Sequence, residues 1–152
     1  MHSRVFGSLI RLLNKLGAST RVACPETLRP AEVERFGVEM FSDVEKALEG
    51  VDIVYALRMQ EERGATGFIP SLREYSKMYG ISKKRLEMAA PGAILMHPGP
   101  VIRDIDIHSA LSAVDEQSHI LRQVENGLAI RKTLIWLMTQ RCDGQEKTFT
   151  RK

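Results

Sequence analysis

Val51-Asp52-Ile53-Val54-Tyr55-Ala56-Leu57 is the segment that most restricts the fold. It is rich in β-branched residues and almost continuously apolar. A half-wet antiparallel strand alternates apolar and polar residues, whereas a parallel strand covered on both faces does not. The segment therefore predicts a buried parallel strand, and parallel neighbours require crossover connections, usually helices.

The flanking chain supplies that alternation. Val5, Leu9, Leu12, Leu13 and Leu16 recur at helical spacing, and Gly17 stops the run. Ser19 to Cys24 is short and β-rich and ends at Pro25. Pro30 opens a short helix through Val33 and Phe36, closed by Gly37. Val38 to Phe41 alternates like a strand, and Ser42 or Asp43 caps a helix carrying Val44, Ala47 and Leu48, with Gly50 as its terminator. After the central strand come a polar loop with Gly64 and Gly67, helices over Ser71–Tyr79 and Ser82–Ala89 separated by Gly80, and a strand over Ala93–Met96. An irregular stretch, Val101–Gln117, leads to a long helix from about Ser118 to Thr139. The expected fold is α/β, a parallel, Rossmann-like sheet of about four or five strands with helices on both faces. The expected domain is residues 1–140, followed by a polar tail, 141–152.

Composition narrows the function classes. The 152 residues are 43% hydrophobic and 27% charged, with a formal net charge of +3. Lys83-Lys84-Arg85 is the densest basic run, and inside a helical pattern it reads as a solvated face; no nucleic-acid partner is expected. No apolar run reaches the ~18 residues of a membrane span, and the N-terminus lacks a secretory pattern. Cys24 and Cys142 are far apart, which fits a reducing cytoplasm better than a disulfide framework. No Gly-x-Gly-x-x-Gly fingerprint, phosphate-binding Gly-x-x-x-x-Gly-Lys loop or metal-ligand spacing occurs, so neither a cofactor nor a metal is expected.

The residues that carry chemistry cluster at strand ends, where open α/β sheets bind ligands. Ala93-Ile94-Leu95 runs into Met96-His97-Pro98-Gly99-Pro100, a loop of fixed shape that lets a ligand approach the backbone. Arg58-Met59-Gln60 follows the central strand, and extended backbone points residues 58 and 60 the same way. Arginine offers a planar fork matched to carboxylates, and glutamine adds a neutral donor and acceptor. Arg63 and its acidic neighbours can orient Arg58. Arg4 lies in the first turn of the first helix, where anions are favoured. His97 either polarises a carbonyl or is a hydrogen-bonded structural histidine. Two oddities remain. The first element is a helix with no strand before it, and the last helix carries apolar residues on more than one face, from Ile120 to Leu137.

Together these pieces resemble the C-terminal, aspartate-binding domain of the aspartate carbamoyltransferases. The matching runs are His2-Ser3-Arg4-Val5, Leu16-Gly17-Ala18, Asp52-Ile53-Val54-Tyr55, Leu57 to Arg63, Pro70 to Tyr75, Met96 to Pro100 and Gln123 to Arg131, in family order over residues 1 to about 140. The resemblance implies that Arg4, Arg58 and Gln60 hold aspartate and that Pro98 and Gly99 present backbone carbonyls to the reacting groups. It implies supporting places for Arg63, His97 and Arg103, and a loop from Glu61 to Tyr79 that closes on aspartate. The His-Pro-Gly-Pro run resembles the aspartate enzymes rather than their ornithine relatives.

The departures are Ile102 and Asp104, where the family commonly has Asn and Gly around Arg103, and Phe6-Gly7-Ser8 in the first helix. The family's carbamoyl-phosphate domain, with its Ser-Thr-Arg-Thr loop, is not in this sequence, which accounts for both oddities. The implied activity is carbamoyl transfer from carbamoyl phosphate to L-aspartate in de novo pyrimidine synthesis, with no turnover by this chain alone. Its partners are L-aspartate, carbamoyl phosphate together with the N-terminal domain, and copies of itself in a homo-oligomer (a trimer in the full enzyme). The alternative expectation is a non-catalytic remnant or partner-binding domain of the same fold.

Overall fold

The computed structural model describes residues 4–30, 33–59, 71–111 and 116–140. Helix α1 (Arg4–Lys15) turns Ile10 fully inward and leaves Leu12 and Leu16 exposed. It ends where Ala18 donates to the Leu13 carbonyl at 3.0 Å and Gly17 to Asn14 at 3.1 Å. The Phe6 ring meets Phe36 edge-on, which seats α1 on the 3-10 turn Val33–Phe36. That turn stands where the periodicity predicted a short helix.

Strand β1 (Arg21–Ala23) pairs in parallel with β2 (Glu39–Phe41), Val22 opposite Met40. Helix α2 (Val44–Leu48) packs on both. Asp43 caps it by accepting from the Glu45 amide at 2.9 Å, the capping role predicted for Ser42 or Asp43. Strand β3 (Ile53–Tyr55) pairs in parallel with β4 (Ile94–Met96), Val54 opposite Leu95 and Tyr55 opposite Met96. Between them lie α3 (Leu72–Tyr79), capped by Ser71, and α4 (Lys83–Leu86), capped by Ser82. Helix α5 (Ile120–Gln140) packs on β4. The buried centre is Val54, Leu95, Leu86, Ile81, Val44 and Leu48.

Three expectations need correction. Among the described residues the strands form two separate parallel pairs, not one sheet of four or five strands. Each strand has three residues, because the flanking backbone is drawn off elsewhere. Val51 bonds back to the Leu48 carbonyl and accepts from Ala90, so the apolar run yields a shorter ladder than its composition implied. The far edge of β4 is met by a one-residue bridge at Ser118, with Leu95 donating to Gln117 at 2.7 Å and accepting from His119 at 2.9 Å. Next, β3 is not covered on both faces: Val54 is buried, but Ile53 is 53% exposed.

Last, Arg85 is not part of a solvated face. Lys83 and Lys84 are exposed, whereas Arg85 donates to the Gly80 carbonyl at 2.8 Å and to the Lys77 carbonyl at 3.1 Å, and pairs with Glu45 at 3.5 Å. It ties α4 to the end of α3 and to α2. The apolar excess of α5 is as the sequence suggested. The helix buries no residue, and Leu128, Ile130, Leu134, Ile135, Trp136 and Met138 are all exposed. Among the described residues no helix is long and apolar enough to cross a membrane.

Candidate functional site

Because β3 and β4 are parallel neighbours in register, the chain leaves both on the same edge of the pair. Arg58 follows β3 and the His97–Pro100 turn follows β4, with Ala56 donating to the Met96 carbonyl at 2.9 Å to extend the pairing beyond β3. This edge is the carboxyl end of the strands, the region where α/β folds place ligands.

Gly99 takes φ +70°, a conformation that suits glycine, and the Gly99–Pro100 peptide is cis. His97 is fully buried. Its Nδ1 accepts from the Gly99 amide at 2.9 Å. A backbone N–H can only donate, so Nδ1 is unprotonated there and the ring proton sits on Nε2. Nε2 faces Asp106 Oδ2 at 3.4 Å. In this conformation His97 shapes its own loop through Nδ1. Pro98 and Gly99 are half-buried at the turn's tip.

Asp106 is the buried anion of the site, 4% exposed. Its Oδ1 accepts from the Met59 amide at 3.0 Å and its Oδ2 from the Ile102 amide at 2.9 Å. A buried carboxylate is tolerated when its lone pairs are met in this way. Gln123 of α5 completes the network. Its Oε1 accepts from the His97 amide at 3.0 Å, and its Nε2 donates to the Tyr55 hydroxyl at 2.9 Å. Burial, and then the Asp106 charge, push the Tyr75 phenol well above its ordinary range, so this hydroxyl stays neutral.

The segment 102–109 is a tight turn. Asp104 sits at φ +61°, and its amide donates to Ile107 at 2.8 Å. Aspartate is among the few residues other than glycine that adopt such a conformation readily. Its carboxylate accepts from the Ser109 amide at 2.8 Å and the Ser109 hydroxyl at 2.6 Å, which holds its carboxyl below the ordinary value. Ser76 of α3 donates to the Asp104 carbonyl.

Of the predicted site residues, the fold brings Arg58, His97, Pro98 and Gly99 to one strand edge. Arg103 is exposed on the adjoining turn, its backbone bridging to Ile107. Arg4 opens α1, where its backbone alone is described. Gln60 and Arg63 lie outside the described residues, as does most of the Glu61–Tyr79 loop ahead of α3. Asp106, Gln123 and Tyr55 were missed as site residues. A carboxylate flanked by two isoleucines in an irregular stretch was the available signal for Asp106, since such an acid is buried and must be partnered. Ser19-Thr20-Arg21-Val22, the run nearest to a Ser-Thr-Arg-Thr loop, enters β1 instead of a helix. Arg21 there is engaged by the Glu49 carbonyl at 2.7 Å and by Glu39 at 3.5 Å. Among the described residues no group of three or more His, Cys, Asp or Glu could hold a metal ion.

Fold and geometry define an α/β domain whose candidate site lies beyond the carboxyl ends of two parallel strands. Residues 1–138 match the family described as aspartate/ornithine carbamoyltransferase, Asp/Orn binding domain, and the chain belongs to that family. Relatives named aspartate carbamoyltransferase catalytic subunit include one from Parvibaculum lavamentivorans, 50% identical over 135 residues (89% of this chain, 41% of that one). Another, from Desulforamulus reducens, is 48% identical over 139 residues (91% of this chain, 44% of that one). The chain thus spans less than half the length of these relatives. Among solved structures, the anabolic ornithine carbamoyltransferase of Campylobacter jejuni superposes with TM-score 0.72 at 19% identity, covering 90% of this chain and 48% of that one. The aspartate transcarbamoylase of Trypanosoma cruzi gives 0.68 at 22% identity, covering 88% of this chain and 43% of that one. These likenesses support the fold.

Proposed function

We propose that this chain is the aspartate-binding half of an aspartate carbamoyltransferase. Arg4, Arg58 and Gln60 hold L-aspartate, supported by Arg63 and Arg103, and the backbone carbonyls of Pro98 and Gly99 orient the reacting groups. The observation that carries the reading is the register of β3 and β4, which sends Arg58 and the Pro98–Gly99 turn off the same strand edge. A dicarboxylate needs cationic forks for its acids and oriented acceptors for its amine, and the two strand exits offer both.

In the reaction, the aspartate amine forms a C–N bond to the carbamoyl carbon of carbamoyl phosphate. The tetrahedral intermediate then expels phosphate as the C–O bond breaks, and the amine gives up its proton. Catalysis rests on positioning and on electrostatic stabilisation, with no covalent enzyme species. The product, carbamoyl aspartate, enters pyrimidine synthesis in the cytoplasm. Turnover needs the carbamoyl-phosphate domain and a homo-oligomeric assembly, a trimer in the full enzyme; the chain by itself binds aspartate without turning it over. The test is carbamoyl aspartate production by this chain alone and when mixed with a separately made carbamoyl-phosphate domain. Product in the mixture alone supports the reading, and silence in both, with both parts folded, overturns it.

A second reading, a partner-binding domain without catalysis, is favoured by one observation, the apolar side chains that α5 leaves exposed from Leu121 to Met138. It predicts association without product in the same mixture.

A further inference from the structure

Two strand exits meet at this edge, one after β3 and one after β4. A third element, the turn at 102–109, reaches both, and it does so through one carboxylate. Asp106 Oδ1 takes the Met59 amide, the residue after Arg58, and Asp106 Oδ2 takes the Ile102 amide, just beyond the His97–Pro100 turn. The two oxygens divide the two exits between them.

We propose that Asp106 is the positioning residue of this site, setting the spacing between Arg58 and the Pro98–Gly99 turn and so the affinity for a dicarboxylate. The proposal rests on the aspartate-site reading above.

Three features make the carboxylate a fixed point. Its side chain is fully enclosed, so it cannot exchange its partners for water. Its backbone is anchored at both ends, with the Asp106 amide donating to Ile102 at 2.9 Å and the Ile81 amide donating to the Asp106 carbonyl at 3.0 Å. Ile81 opens the α3–α4 junction, a buried position in the core. Met59 is itself buried, 7% exposed, so the backbone next to Arg58 follows the Met59 amide.

On the other exit, the His97 ring lies between the carboxylate and Gly99. Nε2 faces Asp106 Oδ2 at 3.4 Å while Nδ1 holds the Gly99 amide at 2.9 Å. The carboxylate therefore bears on the Pro98–Gly99 turn through the Ile102 amide, with the His97 ring packed beside it and its Nε2 making no hydrogen bond among the described residues. Hydrogen bonds to a charged acceptor are stronger than neutral ones, which suits a group that fixes geometry. Asp106→Asn keeps the size of the side chain and removes the charge. Its amide nitrogen would face either a donor amide or the Nε2–H, so one contact is lost in either orientation.

The test uses the isotope-labelled chain and succinate, a dicarboxylate without the reacting amine, followed by NMR. Four variants are compared: Asp106→Asn, Asp106→Glu, Arg58→Ala and Ile107→Val. The last is a core change within the turn that weakens packing and leaves the carboxylate and its two amide donors in place. In Asp106→Asn the Met59 and Ile102 amides should shift together and lose protection from exchange, while β3 and β4 amides stay protected. Succinate affinity should fall about tenfold or more in that variant, the order expected from a small misplacement of positioned groups. Asp106→Glu should recover part of the affinity, and Ile107→Val should lower the melting temperature with no change in affinity.

Unchanged succinate affinity in Asp106→Asn overturns the proposal, as does an equal loss in Ile107→Val. Should Asp106→Asn not fold, Asp106→Glu carries the same readouts, with smaller amide shifts and an intermediate affinity expected. Failure of the parent chain to bind succinate, or binding indifferent to Arg58→Ala, sinks the aspartate reading instead. The amide readout needs no ligand and then decides the positioning role separately.

Discussion

Gln123 of α5 reaches across to β3 and donates to the Tyr55 hydroxyl at 2.9 Å, while its other amide atom accepts from the His97 backbone at 3.0 Å. One side chain thus binds the long helix to the exits of both site strands. Gln123→Leu would leave the amide of fully buried His97 without its acceptor, a loss of about 1–3 kcal/mol. Gln123→Glu keeps an acceptor for His97 and one for the Tyr55 hydroxyl, so it should cost less. Urea denaturation of the two variants beside the parent chain gives the ordering directly.

Gly80 is small for lack of room. A methyl group there would lie 2.6 Å from the Ser76 carbonyl oxygen, 2.9 Å from that of Ile105 and 3.0 Å from His108 Nε2. Two of these three are backbone atoms that cannot swing aside. Gly80→Ala should therefore destabilise the chain by about 2–3 kcal/mol even though alanine restricts the unfolded chain more than glycine does. A thermal melt suffices to check it. A gain in stability would mean that α3 and the 102–109 turn do not approach this closely.

Asp104 gives the acid limb of the stability profile a definite sign. The Ser109 hydroxyl and amide hold its carboxyl below the ordinary value of 3.8. A depressed native value means that the unfolded chain takes up the proton first. The stabilisation is complete above the ordinary value and is lost as pH falls through the depressed one. Asp104→Asn, which also tolerates φ +61°, should flatten that limb; denaturant midpoints from about pH 5 down to about pH 2 would reveal it.

The surface of α5 leads to a prediction about association. Leu134, Ile135 and Trp136 are 53%, 64% and 59% exposed in consecutive positions. Large contiguous apolar surface on a free chain promotes self-association. Light scattering should give an apparent mass that rises with concentration, and Ile135→Lys with Trp136→Lys should reduce the rise. A constant monomer mass for the parent chain would contradict this.

How far the sequence could be read follows from which signals are local. The helix cap at Ser42 or Asp43 and the helix starts at Ser71 and Ser82 were legible because a helix start needs only a hydroxyl or carboxylate and the next turn's amides. The His-Pro-Gly-Pro turn was legible for the same reason. Sheet continuity was not, since a ladder depends on which edges other backbone claims, here Ser118 at β4 and Ala90 at Val51. Nor was the role of Arg85, because its partners on Gly80 and Lys77 exist only once α3 and α4 are folded against each other. Asp106 is the instructive miss. It follows an apolar residue in an irregular stretch, and its importance comes from two amides that only the tertiary fold brings near.

The contacts that join the strand exits are also the ones that span the most chain. Met59 to Asp106 crosses 47 residues and Tyr55 to Gln123 crosses 68, whereas the caps cross two or three. Closing a long loop carries an entropy cost that local contacts do not share, and non-local contacts form late in folding. The strand-end network is therefore expected to form after the local caps, and it opens only when the elements it joins separate. A ligand seated on that edge would slow such opening most, and amide exchange at Met59 and Ile102 would register its arrival before any global change in stability.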